Sequence, residues 1–240
     1  MILRLVKQFF RILPRRILML IVVLISIIFL FSNLFQSSIE NDEEWYKHPQ
    51  AYFSEVDCEH DEFTMKLYDK LTELLTNTLN NLKLTHFLCY GSLWGALRSQ
   101  RTLEWDRNLD FCILNHELAT IDEKAFIRQF VLQGLKYEYN TRRGKYIVTY
   151  KTVSAEITVF ERVGSHMERI GWEKSLIPHF YVNYQNFPYH LVEKLPLPTE
   201  QFNGMKVPVP HDNFEIQKYL YPENWWRVIK PKGCPESQKE

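Results

Sequence analysis

The chain has 240 residues, with 29 Lys and Arg balanced by 29 Asp and Glu, and 45% of its residues are hydrophobic. That length accommodates one globular domain and an appendage, while two full domains would be cramped. Balanced charge supplies no basic stripe for a phosphodiester backbone, so nucleic acid is excluded as an expected partner.

In chain order the first signal is residues 17–35, which are almost wholly apolar with Ser26, Ser32 and Asn33 as the polar interruptions. At about 1.5 Å per residue they reach about 28 Å, the thickness of a bilayer's hydrocarbon core. Arg4, Lys7, Arg11, Arg15 and Arg16 precede the run, and Glu40, Asp42, Glu43 and Glu44 follow it. The basic flank is therefore expected to stay cytosolic, with the C-terminal part across a single membrane anchor. A cleaved signal peptide is the alternative, but its apolar stretch is normally shorter and ends in a small-residue cleavage site that Phe31, Asn33 and Phe35 do not resemble.

Either reading sends the rest of the chain into an oxidising compartment, where Cys58, Cys89, Cys112 and Cys234 can pair in three connectivities. Cys89 and Cys112 lie in apolar runs and read as buried small residues, which leaves Cys58 with Cys234 as a candidate bridge. No Asn-X-Ser/Thr acceptor occurs, so N-glycosylation is not expected.

Residues 36–60 are polar and acidic without sustained periodicity and read as a stem. From Asp61 to Leu84 the spacing of Phe63, Leu67, Leu71, Leu74, Leu75, Leu79 and Leu82 predicts an amphipathic helix, with Asp61 or His60 near its start. The period then changes. His86 to Tyr90 reads as a strand, Gly91-Ser92 as a turn and Leu93 to Arg98 as a helix. Leu109 to Leu114 is a second strand, followed by a helix from Ile121 to Leu135 with Phe126, Phe130, Val131 and Leu135 as its buried face.

Tyr137 to Asn140 and Tyr146 to Val153 flank Arg142-Arg143-Gly144 as a hairpin. Ala155 to Phe160 alternates so that Glu156 and Thr158 share one strand face. After Gly164 a Pro- and aromatic-rich segment with short strand-like pieces runs to Pro210, suited to a lid or binding segment on a sheet. Asp212 to Tyr221 reads as a late helix. The partition is a basic tail (1–16), an anchor (17–35), a stem (36–60), one α/β domain (61–232) and a polar tail (233–240).

The chemistry concentrates in Tyr90-Gly91-Ser92-Leu93-Trp94-Gly95-Ala96-Leu97-Arg98 and Glu104-Trp105-Asp106-Arg107-Asn108-Leu109-Asp110-Phe111. A Gly-Ser turn opening a helix lets backbone N–H groups and a hydroxyl approach phosphate oxygens, where the helix N-terminus favours negative charge. Asp106, Asn108 and Asp110 face one side of a strand if it starts early enough, and Glu156 adds an acid from a neighbouring strand. Such oxygen ligands suit magnesium or manganese. Taken singly, each residue also has an ordinary structural reading as turn, solvated strand end or surface cation.

The order Tyr-Gly-Ser-Leu-x-Gly-Ala-Leu-Arg followed by Trp-Asp-x-x-x-Asp resembles the signature of the LicD/fukutin family, a branch of the nucleotidyltransferase superfold. Glu156-Ile157-Thr158-Val159-Phe160 is similar to the family's acidic strand. Phe187-Pro188, the run Phe202 to Pro210, and Leu220-Tyr221 through Trp225 resemble its later segments. The resemblance covers residues 85–231. It implies a nucleotidyltransferase-like α/β (α+β) domain with a mixed central sheet and flanking helices, preceded by the single transmembrane helix.

It further implies transfer of phosphocholine or ribitol phosphate from a CDP-linked donor to a glycan or glycoprotein acceptor, in the lumen of the Golgi or ER. By that analogy Gly91, Ser92 and Arg98 handle donor phosphates, and Asp110 and Glu156 bind a divalent cation, Mg or Mn, with Asn108 as a weaker ligand; Asp106, which sits beside the same cluster, is the candidate general base. Asn108 stands where the family usually has an acid, and Arg107 replaces another commonly acidic position. That departure leaves a second reading open, a fukutin-like scaffold that holds a glycan or other Golgi transferases.

Overall fold

The structure, a computed structural model, describes residues 58–173, 186–222 and 224–230, with isolated positions 19, 23, 24, 26 and 234. The chain divides into one unit of Met1–Val56 with Pro231–Cys234 and another of Asp57–Lys230 with Pro235–Glu240. In the first unit Met19, Val23, Leu24 and Ser26 are helical. The rest of the predicted anchor and most of the stem lie outside the described residues, among which no helix is long and apolar enough to cross a membrane.

In the second unit α1 spans Glu62–Asn81. Asp61 is its N-cap, accepting from the Thr64 N–H at 2.7 Å, which satisfies one of the orphan donors of the first turn. Its three-and-four spacing buries Leu67, Leu71, Leu74, Leu75 and Leu79 along one stripe. Then follow β1 (His86–Leu88), α2 (Tyr90–Ser99), β2 (Asn108–Leu114), α3 (Asn115–Leu118) and α4 (Glu123–Leu132). The second half holds β3 (Lys136–Asn140), β4 (Lys145–Tyr150), β5 (Val153–Val163), β6 (His166–Arg169), β7 (Asn186–Pro188), α5 (His190–Glu193), β8 (Thr199–Phe202), β9 (Met205–Pro208) and α6 (Asn213–Leu220).

The central sheet is mixed, as expected, with strand order β1-β2-β5-β4-β3 and with β6 joining β5 to β7. β2 and β5 are parallel while their other neighbours are antiparallel. β5 serves two partners along one edge. At Val159 the N–H donates to Gly144 O and the carbonyl accepts from the Ile170 N–H, so β4 gives way there to β6.

Period-two alternation sorts the central strands into two faces. Leu109, Phe111 and Ile113 of β2 align with Ala155, Ile157 and Val159 of β5, all fully buried. α1 and α4 cover that face, with Phe126 of α4 against Tyr137 and Tyr146. The opposite face carries Asp110 and Glu156 toward the strand starts and Phe160 further along, the last packed on Phe187. It is therefore polar at one end and apolar at the other.

Several expectations change. The helix expected over Ile121 to Leu135 is shorter, capped by Asp122, and Val131 is 63% exposed instead of buried. β6 and β7 extend the main sheet instead of forming a lid, whereas β8 and β9 pair separately. Phe180, Tyr181 and Tyr184 of the aromatic segment lie outside the described residues. Cys89 and Cys112 are not simple buried thiols but a disulfide, and among the described residues no cysteine is free. An antiparallel β1–β2 pairing that sets Leu88 opposite Phe111 brings the two sulfurs together, a register that composition does not reveal.

Candidate active site

Helix α2 begins immediately after β1, without the expected separate turn. Cys89 is extended and Tyr90 takes a positive φ of 47°, so the chain reverses in two residues and Gly91 and Ser92 fall inside the first helical turn. A tyrosine in this region is strained and persists when neighbours over-determine it. Here Gln217 of α6 donates to the Tyr90 carbonyl at 3.2 Å and Tyr221 meets the Tyr90 ring edge-on.

The N-terminus of α2 points at an anion of the protein itself. The Gly91 N–H donates to Asp110 Oδ2 at 3.1 Å, and the Asp110 N–H donates to Ser92 Oγ at 2.7 Å. The Gly91 N–H is thus spent on Asp110, and Ser92, fully buried, accepts from the Asp110 backbone. This is the same preference of a helix N-terminus for negative charge, satisfied internally. The Asp110 carboxyl is nevertheless pushed well above the usual carboxylate range, by burial first and then by repulsion from Glu156 and Asp106, with Lys145 and the Gly91 N–H opposing.

Asp106 precedes β2 instead of lying in it, yet its side chain arrives at the same place. A Cβ added to Gly91 would stand 2.5 Å from Asp106 Oδ2, so glycine at this position is what admits the carboxylate. Oδ2 is buried and has no hydrogen-bond partner. Burial raises the Asp106 pKa to about 7. Its backbone is fixed by its N–H on Leu103 O and by its own carbonyl, which accepts from His60 Nε2 at 2.5 Å and from the Tyr68 hydroxyl at 3.4 Å.

Glu156 is the register partner of Asp110 on parallel strands, so the two backbones are about 4.8 Å apart and their side chains share a face. Asn108 lies two residues before Asp110 on that face, and its Nδ2 donates to Asp110 Oδ1 at 2.9 Å. The amide therefore acts here as a hydrogen-bond donor to the neighbouring carboxyl group and not as an oxygen ligand. From β4, Lys145 Nζ reaches Glu156 Oε2 at 2.5 Å. Lys145 was not among the residues expected from the sequence, where it stands one position outside the predicted strand and nothing local pairs it with Glu156.

Arg98 is not brought to this cluster. It occupies the last turn of α2, about 10 Å along the helix from Gly91, where its guanidinium stacks 3.9 Å from the Trp94 ring and donates to Arg227 O at 2.9 Å. Seven residues separate it from Gly91 in a helix that, starting at Tyr90, leaves no bend to fold it back.

The donor set Asp106, Asp110 and Glu156 is chemically suited to a hard divalent cation, and the orphaned, buried Asp106 Oδ2 is the observation that favours one. In this structure Glu156 is paired with Lys145 and Asp110 accepts from Asn108. Consistent with that, no group of three His, Cys, Asp or Glu side chains among the described residues is already set in metal-holding geometry.

Residues 83–212 match the family model described as LicD/FKTN/FKRP, nucleotidyltransferase domain. The matched span runs from just before β1 past β9 and includes Gly91, Ser92, Asp106, Asn108, Asp110, Lys145 and Glu156. No curated protein matches the chain.

Proposed function

This chain belongs to the LicD/FKTN/FKRP family through its nucleotidyltransferase domain, and on that premise we propose that it is a phosphotransferase moving a phospho-alcohol, of the ribitol phosphate or phosphocholine class, from a CDP-linked donor to a glycan. The observation that carries this reading is the convergence of Asp106, Asp110 and Glu156 at the N-terminus of α2, with one carboxylate oxygen buried and unpartnered.

Asp110 and Glu156 would hold the cation, magnesium or manganese, which when bound offsets the charge of the donor's diphosphate and of the departing nucleotide. An acceptor hydroxyl oxygen forms the new bond to the phosphorus that bears the alcohol. The phosphoanhydride bond to cytidine monophosphate breaks, and that nucleotide leaves with the electron pair. The hydroxyl proton passes to Asp106 Oδ2, a buried acceptor with no competing donor. The Asn108 amide and the Gly91 N–H keep Asp110 oriented.

The apolar run at residues 17–35 with its basic flank supports a single membrane anchor. The fully buried Cys89–Cys112 disulfide supports an oxidising lumen, as in the ER or Golgi. The alternative, a scaffold that binds glycan or a partner transferase, is favoured by one observation: the Gly91 N–H and Glu156 are already engaged within the protein.

Release of cytidine monophosphate from CDP-ribitol or CDP-choline, followed with a glycan acceptor and manganese, separates the two. The transferase reading expects cation-dependent release that Asp110→Asn abolishes. Equal inertness of wild type and variant on both donors refutes it.

A further inference from the structure

We propose that Lys145 is the group that contacts the donor's phosphate, kept against Glu156 until that carboxylate turns to a divalent cation. The inference rests on the cytidine-diphosphate donor proposed above and assigns a binding role to a residue that the sequence motif does not contain.

The groups expected to meet phosphate are engaged elsewhere. The Gly91 N–H is taken by Asp110, Ser92 is fully buried under it, and Arg98 is tied to Trp94 and Arg227 at the far end of α2. A donor with two phosphates still requires a cation at the acidic cluster. Lys145 is in place for it. It opens β4 in register with Thr158, and Ile147, two residues on, pairs with Glu156. Lys145 therefore shares the face of Glu156 and Asp110, and its charge acts on both.

Its setting is unusual for a lysine. The residue is only 8% exposed, and an ammonium group has three N–H donors. One is taken by Glu156, and among the described residues none accepts from the others. Lysine is a compact point charge on a flexible stem, which suits it to swing between a carboxylate and a phosphate. Glu156 Oε2 cannot lie 2.5 Å from an ammonium and also coordinate a divalent ion without crowding like charges. With Glu156 committed to the cation, the Lys145 amine is released toward the phosphate that accompanies it.

The test uses the full chain in detergent, with CDP binding measured by calorimetry in the presence of manganese, and manganese binding without nucleotide measured by electron paramagnetic resonance. Lys145→Met is expected to weaken CDP about tenfold or more, the loss of one charge-assisted hydrogen bond. Lys145→Arg is expected to recover part of it. Manganese should bind Lys145→Met more tightly than wild type, because Glu156 loses its competitor. A loss caused by misfolding is distinguished on wild-type protein by pyridoxal phosphate labelling trapped with borohydride. Lys145 should be modified in the presence of manganese and protected by CDP, and peptide mapping that finds it unlabelled overturns the proposal.

Equal CDP affinity of wild type and Lys145→Met overturns the phosphate contact while leaving the donor reading intact. A wild type that does not bind CDP with manganese removes both.

Discussion

Asp106→Asn tests the acidic cluster through stability alone, without reference to any substrate. The Asp106 carboxyl has a pKa of about 7 in the folded protein against 3.8 when free, with burial as the cause. The folded state therefore keeps a proton that the unfolded chain releases between these values. Stability from this group is fully present below about pH 4 and is lost as pH rises through about 7. The whole shift corresponds to about 4 kcal/mol as an upper bound, of which about 3 kcal/mol develops between pH 4.5 and pH 8.

Asparagine cannot ionise, so the variant omits this loss. Any penalty from placing an amide N–H against the unpartnered site is independent of pH and cancels when two pH values are compared. Asp110 titrates in both proteins, and because Asp106 repels it in the wild type, the relief of that repulsion in the variant adds to the gain at the higher pH. Urea denaturation of wild type and variant at pH 4.5 and pH 8, in chelator, is expected to show the variant gaining about 3 kcal/mol relative to wild type at the higher pH. Parallel pH profiles would show that Asp106 is solvated, and the argument for a buried, unpartnered acceptor would fail.

Gly91→Ala forces its new Cβ to within 2.5 Å of Asp106 Oδ2 and is expected to cost about 1–3 kcal/mol, with Asp106→Gly in the same chain restoring most of it in thermal melts. Removing the Cys89–Cys112 disulfide with serine at both positions opens a loop of sequence separation 23 and should cost about 3 kcal/mol by denaturant titration. Asn108→Asp replaces the N–H that donates to Asp110 with a further carboxylate. It is expected to tighten manganese binding about tenfold or more in paramagnetic resonance titrations while lowering metal-free stability near neutral pH. Unchanged affinity would mean that position 108 does not face the cation.

The acid pair was legible because alternation along β2 and β5 is a local property. Asp110 and Glu156 each occupy a predicted strand, and a parallel register completes the pairing. The role expected for Gly91 and Ser92 was only half legible. The sequence identified a helix start that attracts an anion, but which anion answers depends on where β2 lies, and β2 offers Asp110 first. Arg98 ends the helix in the expected and the observed fold alike, and its partners Trp94 and Arg227, the second 129 residues away, are set by the tertiary structure.

By itself, then, the sequence determined what neighbours along the chain decide: the Asp61 and Asp212 caps, the stripe of α1, the two-residue alternation of the strands and the ordered motif that marks the family. Tertiary structure alone decided the disulfide, the arrival of Asp106 beneath Gly91 and the placing of Lys145 on Glu156. The loop carrying Asp106 shows why. At its start Thr102 donates to Asn203, 101 residues away, and Asn203 in turn bonds Thr72 of α1. Backbone periodicity is encoded over a few residues, whereas the convergence of side chains is set by strand register and long-range hydrogen bonds that no local window contains.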